Sequence, residues 1–228
     1  MDGEAQLAGV IRRDEAFPMI QDTHLCNDYI GGGVVGFNAM HIPVDGTDPA
    51  SLSEGMMRGR KMAFQMRDAL AKHYSSAFSD AVVAQTASLM GIRESRSIKG
   101  EYTLTLDDYL SKRVFEDEIC RNSYFIDFHS SCVGIDDEKW TPYGKGDSHG
   151  IPFRCLIPKD LDNVLVAGRP ISCERTVSAS TRVMPPCLAT GQAAGSAAAL
   201  AIRNGGAFRD LDVSVLRGVL ADNGAYFL

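Results

Sequence analysis

The stretch Val164-Leu165-Val166-Ala167-Gly168-Arg169, followed by the alanine-rich segment 185–202, decides the fold of the second half of the chain. Residues 164–167 are a short, fully apolar run that predicts a strand buried on both faces, and Gly168 ends it. Pro185 and Pro186 favour the start of a helix, and Asn204-Gly205-Gly206 favours its end. Unpaired N–H groups at such a helix start suit a phosphate or an electron-rich ring edge. An ordinary packed strand–helix unit explains these residues equally well.

The composition is that of a globular protein. The chain has 228 residues, of which 45% are hydrophobic and 23% are charged, and its formal net charge is −6. These values exclude a disordered or fibrous chain, and the absence of a long Lys/Arg run argues against a nucleic-acid surface. The most apolar window, residues 193–202, is about half of the roughly 20 residues that a membrane-spanning helix needs. With no apolar leader in its first 20 residues, the sequence predicts a soluble, cytoplasmic protein without a membrane partner.

The cysteines indicate neither a zinc site nor a dense disulfide framework. Six are present and none forms a C-x-x-C pair, so the expectation is buried, reduced thiols and no metal centre. The six are Cys26, Cys120, Cys132, Cys155, Cys173 and Cys187.

Apolar periodicity predicts most of the remaining elements. Residues 52, 56, 59, 63, 66 and 70 form one stripe of a helix that Ser51 and Glu54 open as a capping box and that ends near His73. Further helices are predicted at 80–90 and, after a cap at Thr105, at 106–121; β segments are predicted at 92–104, 124–129 and 150–157. The fold class is therefore α/β, with mixed α+β character.

The glycines at 31, 33 and 36 match the G-x-G-x-x-G dinucleotide fingerprint only as a string. The residues before them are mostly polar, Pro43 follows too closely for a long helix, and no acidic residue ends a second strand about 20 residues on. The context favours a simple glycine turn between short strands.

Four residues are candidates for catalysis or substrate binding on their residue type and position. Arg93 and Arg96 flank Glu94 on one segment and suit an anionic ligand, although a solvated edge with a Glu–Arg pair is the plainer interpretation. His129 and His149 lie nearest the predicted functional loop 136–149. A lone histidine is more often structural than catalytic, so both interpretations stay open.

Six blocks of sequence, in a fixed order, resemble those of FAD-dependent oxidoreductases of the glutathione-reductase-type flavoprotein superfamily. The blocks are Gly91–Tyr102, Tyr124–His129, Ile151–Pro158, Leu161–Ser172, Ser180–Pro185 and Gly191–Gly195. Each block is weak alone, and the ordered set, spanning about residues 50 to 205, is specific.

The resemblance implies an FAD site and its contacts. It places Ala167, Gly168 and Arg169 near the ribityl-phosphate of FAD, and the helix start near the flavin pyrimidine edge. The helix residues implied are Pro186, Thr190, Gly191, Gln192, Ala193 and Ala194. It implies that residues 51–160 form the helices and sheet on the substrate side, and that residues 161–228 form the C-terminal part of the FAD-binding domain. Residues 1–50, with irregular structure and short strands, would complete the fold. Arg93, Arg96, His129 and Arg154 become candidates to face the flavin and a small-molecule substrate.

The chain departs from the family pattern at the nucleotide-binding half. The apolar first strand, the glycine turn into a helix and the acidic ribose ligand are missing in context. We therefore expect a partial FAD-binding fold, with the Rossmann half in a missing N-terminal segment or a partner chain. FAD is then bound weakly or not at all by this chain alone. A non-catalytic remnant and a subunit of a split flavoenzyme are the alternatives.

Overall fold

The computed structural model describes residues 2–21, 25–127 and 143–228, with side chains in the first helix described from Leu7 onward. The chain divides into two units, residues 1–92 and 93–228, each with its own apolar core. None of the helices in the described ranges is both long and apolar enough to cross a lipid bilayer.

The first unit consists of helices and one β-hairpin. Its elements are α1 (Asp2–Arg12), β1 (Cys26–Gly31), β2 (Val34–Asn38), α2 (Pro49–His73) and α3 (Ser75–Phe78). The core joins Ala8 and Ile11 of α1 to Met62, Met66 and Leu70 of α2. These residues recur at helical spacing, so the contact between the two helices buries the apolar face of each.

The fingerprint-like glycines form the turn of the hairpin. Gly31, Gly32 and Gly33 have positive φ values of 115°, 59° and 79°, which residues with side chains rarely adopt. Strands β1 and β2 pair antiparallel, with Cys26 opposite Asn38. A dinucleotide fingerprint instead requires a strand, a turn and then a helix. The predicted glycine turn is confirmed.

The long helix α2 is confirmed, with a different start. The carboxylate of Asp48 accepts hydrogen bonds from the N–H groups of Ala50 and Ser51, and Pro49 occupies the first turn. Ser51 was predicted to cap the helix, but its hydroxyl accepts from the Asp45 N–H at 2.9 Å. Asp48 is a strong cap and Pro49 has a φ suited to a first helical residue, so the helix is capped three residues earlier than predicted.

The predicted helix at 80–90 is wrong. Residues 81–90 contain no helix, and Gly91 caps nothing. Val82 and Leu89 are 78% and 80% exposed. A helix of this length is marginal on its own and needs an apolar face packed on a core, which these exposed side chains do not provide.

The second unit packs against one face of its longest helix. Its elements are α4 (Leu106–Leu110), β3 (Glu118–Asn122), β4 (His149–Pro152), α5 (Arg175–Thr181), α6 (Met184–Asn204) and α7 (Val213–Asp222), with 3₁₀ turns at Phe153–Leu156 and Phe208–Asp210. Strands β3 and β4 pair antiparallel, with Cys120 opposite Ile151. One face of α6 is buried through small residues, against β3 and α7. The buried residues are Pro186, Thr190, Ala193, Ala197 and Ala201.

Helix α6 ends as the sequence predicted. Gly205 adopts a left-handed conformation with φ of 62°, and its N–H donates to the carbonyl of Ala201. Such a cap has little cost for glycine because there is no Cβ to clash. The predicted cap of α4 is also confirmed, since Thr105 and Asp108 form a reciprocal capping box.

The predicted helix at 106–121 is wrong beyond residue 110. Lys112 has a positive φ of 55°, which ends the helix within one turn. Residues 118–122 then form β3, because pairing with β4 buries them. Tertiary pairing overrides local helix propensity here.

Three predicted β segments are shorter or absent. The segment 92–104 makes only isolated bridges, at Gly100 to Pro158 and at Leu104 to Cys173. Residues 124–127 are not a strand, and the rest of that prediction lies outside the described residues. Strand β4 stops at Pro152, since the chain turns into the 3₁₀ turn that follows.

Residues 164–167 do not form the predicted strand. Within this segment the N–H of Val166 donates to the carbonyl of Leu156 at 2.9 Å, and no ladder is built among the described residues. The mixed α and β class is confirmed, with small antiparallel sheets in place of the expected parallel sheet in the described ranges.

A buried carboxylate fixes the contact between β3 and β4. Glu118 is fully buried and accepts hydrogen bonds from Arg121 Nη1 at 3.0 Å and from the N–H of Phe115 at 3.3 Å. A Cβ at Gly150 would collide with the carboxylate Oε2 of Glu118. Only glycine therefore fits at position 150 without displacing a buried ion pair.

We predict that Gly150→Ala destabilises the second unit by about 1–3 kcal/mol, because overpacking forces Glu118 away from Arg121. Gly218→Ala is the matched control: it lies in α7 with open space around the new methyl group, and is expected to stabilise the chain by about 0.5–1 kcal/mol. Urea denaturation followed by circular dichroism measures both. Equal stability of Gly150→Ala and the wild type would contradict this packing.

Candidate functional site

The turn at Gly168 lies on the first two turns of α6. Gly168 has a positive φ of 79°, and its N–H donates to the hydroxyl of Thr190 at 3.0 Å. The same hydroxyl donates to the carbonyl of Pro186 at 2.8 Å. Thr190 is 1% exposed. One buried hydroxyl therefore joins the turn to the helix, and brings together the two segments that the resemblance associates with FAD.

The residues implied as cofactor contacts fall into two groups. Gly191, Gln192 and Arg169 are exposed, and a Cβ at Gly191 would meet no atom within 4 Å. Ala167, Gly168 and Ala194 are half-buried, while Pro186, Thr190 and Ala193 are buried. The first group is accessible to a ligand. The buried group supports it from beneath.

The start of α6 offers fewer N–H donors than expected. Pro185 and Pro186 occupy its second and third positions and have no N–H group. Among the first three helical residues only Met184 carries a donor. The helix dipole still gives this end a partial positive charge, so the site suits a delocalised negative charge better than a tightly bound phosphate.

A cleft of about 420 Å³ lies between β3, α6 and the segment after α7. Its lining includes Asn122 and Tyr124 on one side, Pro186 and Gln192 on α6, and Tyr226 opposite. The volume is within the roughly 300–1,000 Å³ of small-molecule sites. Asn122 is already engaged, since its Nδ2 donates to Ser180 Oγ at 2.8 Å. No sequence motif marks this cleft, because its walls are far apart along the chain.

The arginines of the 92–98 segment differ in their surroundings. Among the described residues, Glu94 pairs with Arg175 at 2.7 Å, and not with Arg93 or Arg96 on its own segment. Arg93 Nη1 lies 3.9 Å from Asp127 Oδ2, and Arg96 is exposed. Arg182, which was not predicted as a site residue, donates from Nη2 to the carbonyl of Asp127 at 2.7 Å. The structure thus brings Arg93 together with Arg182.

Arg154 is held by a carboxylate and a ring. Its Nε and Nη2 donate to the two oxygens of Asp117 at 2.8 and 3.1 Å, and its guanidinium lies 5.0 Å from the Tyr102 ring centroid. The hydrogen bonds to Asp117 raise the pKa of Arg154. These contacts fix the side chain in place. His129 lies outside the described residues.

His149 is buried in an aromatic cluster. Tyr109 and Tyr143 stack with centroids 4.4 Å apart, and His149 is fully buried beside them. The Tyr143 hydroxyl donates to the Tyr109 carbonyl at 2.6 Å, so His149 Nδ1–H donates to that hydroxyl oxygen at 3.0 Å. His149 Nε2 has no hydrogen-bond partner among the described residues. Burial lowers the pKa of His149 to about 4, so the ring is neutral near pH 7.

The cysteines and acidic residues show no metal-site geometry in the described ranges. No group of three or more His, Cys, Asp or Glu side chains is arranged there to hold an ion. Cys120 and Cys155 are buried thiols, and burial raises the pKa of Cys120 to about 12. Such a thiol stays protonated at neutral pH and is a poor nucleophile.

We predict that Thr190→Val destabilises the chain by about 1–3 kcal/mol, because the Gly168 N–H and the Pro186 carbonyl lose their shared partner. Thr190→Ser keeps the hydroxyl and is the matched control, with a smaller loss. Thermal and urea unfolding of both variants measure the difference. If the valine variant is as stable as the serine variant, the hydrogen bonds of the Thr190 hydroxyl do not hold the turn to the helix.

We predict that acid destabilises the chain through His149. The pKa of His149 in the folded state, about 4, lies below the ordinary 6.5, so the neutral ring contributes stability above pH 6.5, and this is lost as the pH falls toward 4. A tenfold change in the proton-binding constant corresponds to about 1.4 kcal/mol, so the loss over this range is about 3 kcal/mol. Urea denaturation at a series of pH values compares the wild type with His149→Gln, in which this component of the pH slope is absent. If the free energy of unfolding of His149→Gln depends on pH as strongly as that of the wild type, His149 is not the group responsible.

Comparison with known proteins identifies one family. A family model described as FAD dependent oxidoreductase matches residues 8–220. No curated protein and no solved structure gives a significant match.

Proposed function

The chain belongs to the FAD dependent oxidoreductase family, and we propose that it carries the flavin-contact and substrate-side part of an enzyme that transfers hydride between a small molecule and flavin N5. The observation that carries the proposal is the hydroxyl relay at Thr190. It holds the Gly168 turn against the start of α6 and leaves Gly191 open at the surface beside them.

The residues present fit the flavin end of FAD. Gly191 and Gln192 form an exposed part of α6, and the missing side chain at 191 leaves room for a ring. The positive end of the α6 dipole favours electron density at the ring edge. The Gly168 turn is half-buried and would offer backbone atoms to the cofactor, with the Ala167–Arg169 segment along the ribityl chain. A bound flavin supplies the redox chemistry, and these residues supply binding and orientation.

The described residues do not fit the adenosine end. Dinucleotide folds bind it where a parallel strand leads through a glycine turn into a helix. In residues 25–48 the corresponding glycines form an antiparallel hairpin, and no helix follows before Pro49. We therefore propose that polypeptide outside residues 1–228, continuous with this chain or in a partner chain, supplies the nucleotide-binding half.

The relative affinities for FMN, FAD and ADP test whether this chain contacts only the flavin end of FAD. The chain is expected to bind FMN and FAD with equal affinity, within about threefold (about 0.7 kcal/mol), because only the shared flavin end is contacted. ADP is expected not to compete. Flavin fluorescence on titration with the chain measures all three. FAD binding about a hundredfold tighter than FMN, at one FAD per chain, would show that the nucleotide half is present and overturn this part of the proposal.

A paired substitution tests the location of the flavin. Gly191→Val fills the open position on α6 and should weaken FMN binding by about tenfold or more, while Gly218→Val introduces the same side chain at an equally open position on α7 and should not. Circular dichroism confirms that both fold. Equal affinity of the two variants for FMN would place the flavin elsewhere.

A further inference from the structure

Asp127 lies between two arginines that come from distant parts of the sequence. Arg182 donates from Nη2 to the Asp127 carbonyl at 2.7 Å, so this bond does not use the carboxylate. Arg93 Nη1 is 3.9 Å from Asp127 Oδ2, which is beyond hydrogen-bond distance. The Tyr124 hydroxyl donates to the same carboxylate oxygen at 3.4 Å. The two guanidinium groups are therefore held near one another without being tied up by the acid.

The local charge is positive. Among the described residues at this place, Arg93 and Arg182 carry two positive charges and Asp127 carries one negative charge, which sums to about +1. The next acid, Glu94, is bound by Arg175 through hydrogen bonds of 3.2 and 2.7 Å. Burial and the charge of Arg93 both lower the pKa of Arg182. An added anion would relieve the repulsion between the two guanidiniums.

Most of the arginine donors are unused. A guanidinium has five N–H groups in a rigid fork, and it binds carboxylates through two parallel hydrogen bonds. Within the described residues, the guanidinium of Arg182 donates one hydrogen bond and that of Arg93 donates none. By contrast, Arg154 already donates two parallel hydrogen bonds to the carboxylate of Asp117. Arg93 and Arg182 therefore have donors to offer to a ligand.

The position of Arg182 connects this place to the flavin site. Arg182 directly precedes Val183, the N-cap of α6, and α6 carries the proposed flavin contacts. We propose that Arg93 and Arg182 bind the carboxylate of a monoanionic organic substrate; its role as the substrate rests on the proposed function. A net charge near +1 matches a carboxylate. A phosphate dianion would meet repulsion from Asp127.

The test uses fluorine NMR on the full chain without FAD, with para-fluorobenzoate and its neutral isostere para-fluorobenzamide as probes. The acid is expected to bind about tenfold or more tightly than the amide, because only the acid pairs with the two arginines. Arg93→Gln and Arg182→Gln should each weaken acid binding by about tenfold. Arg203→Gln, an exposed change at the end of α6, should leave it unchanged.

Three outcomes overturn the subsite: equal binding of acid and amide, unaltered acid binding in both arginine variants, or stronger competition by inorganic phosphate than by acetate. Arg93 is half-exposed at 36% of its side chain, so its variant remains informative should Arg182→Gln fail to fold. The two proposals fail in different measurements. If the chain binds para-fluorobenzoate but not FMN, the proposed function is wrong and the carboxylate subsite stands. If it binds FMN but not para-fluorobenzoate, only the subsite is wrong.

Discussion

The hydroxyl of Thr190 is the contact on which the candidate site depends. It accepts from the N–H of Gly168 and donates to the carbonyl of Pro186, in a position that water does not reach. An unpaired N–H in that position would carry a desolvation cost, so the turn and the helix are held as one piece. Helix α6 then rests on β3 through Ala193 and Ala197, whose small side chains permit close packing.

The charged residues of the second unit have two different roles. Buried or bidentate pairs such as Arg121 with Glu118 and Arg154 with Asp117 fix the fold. Truncating one partner of a buried pair leaves an uncompensated charge, so the Arg121–Glu118 pair tolerates little change. Arg93 and Arg182 are different because their donors exceed the acceptors around them. This surplus of positive charge lies next to the N-cap of α6, where the helix dipole has the same sign.

Parts of the fold that depend on local chemistry were predictable from the sequence. The glycine cap of α6, the capping box at Thr105 and the turn at 31–33 each follow from one or two residues. Predictions that depended on distant contacts were wrong. The segment 106–121 has the pattern of a helix, yet pairing with β4 makes residues 118–122 a strand. The apolar run at 164–167 has the pattern of a buried strand but lacks neighbours to pair with in the described ranges.

The same distinction applies to the site. The sequence selected Gly168, Thr190 and Arg93 from motifs and from the family resemblance, and the structure brings Gly168 and Thr190 into contact. Arg182 and the cleft beside Tyr124 were missed. Their neighbours come from segments about 60 to 100 residues away along the chain, and no local spacing encodes such proximity.

Backbone amide NMR of the isotope-labelled chain titrated with FMN would show where the flavin binds. Chemical-shift changes are expected to concentrate at Ala167–Arg169 and at residues 187–195 of α6, the two segments that the Thr190 hydroxyl joins. Shifts concentrated at the hairpin glycines 31–36, with α6 unaffected, would contradict this expectation.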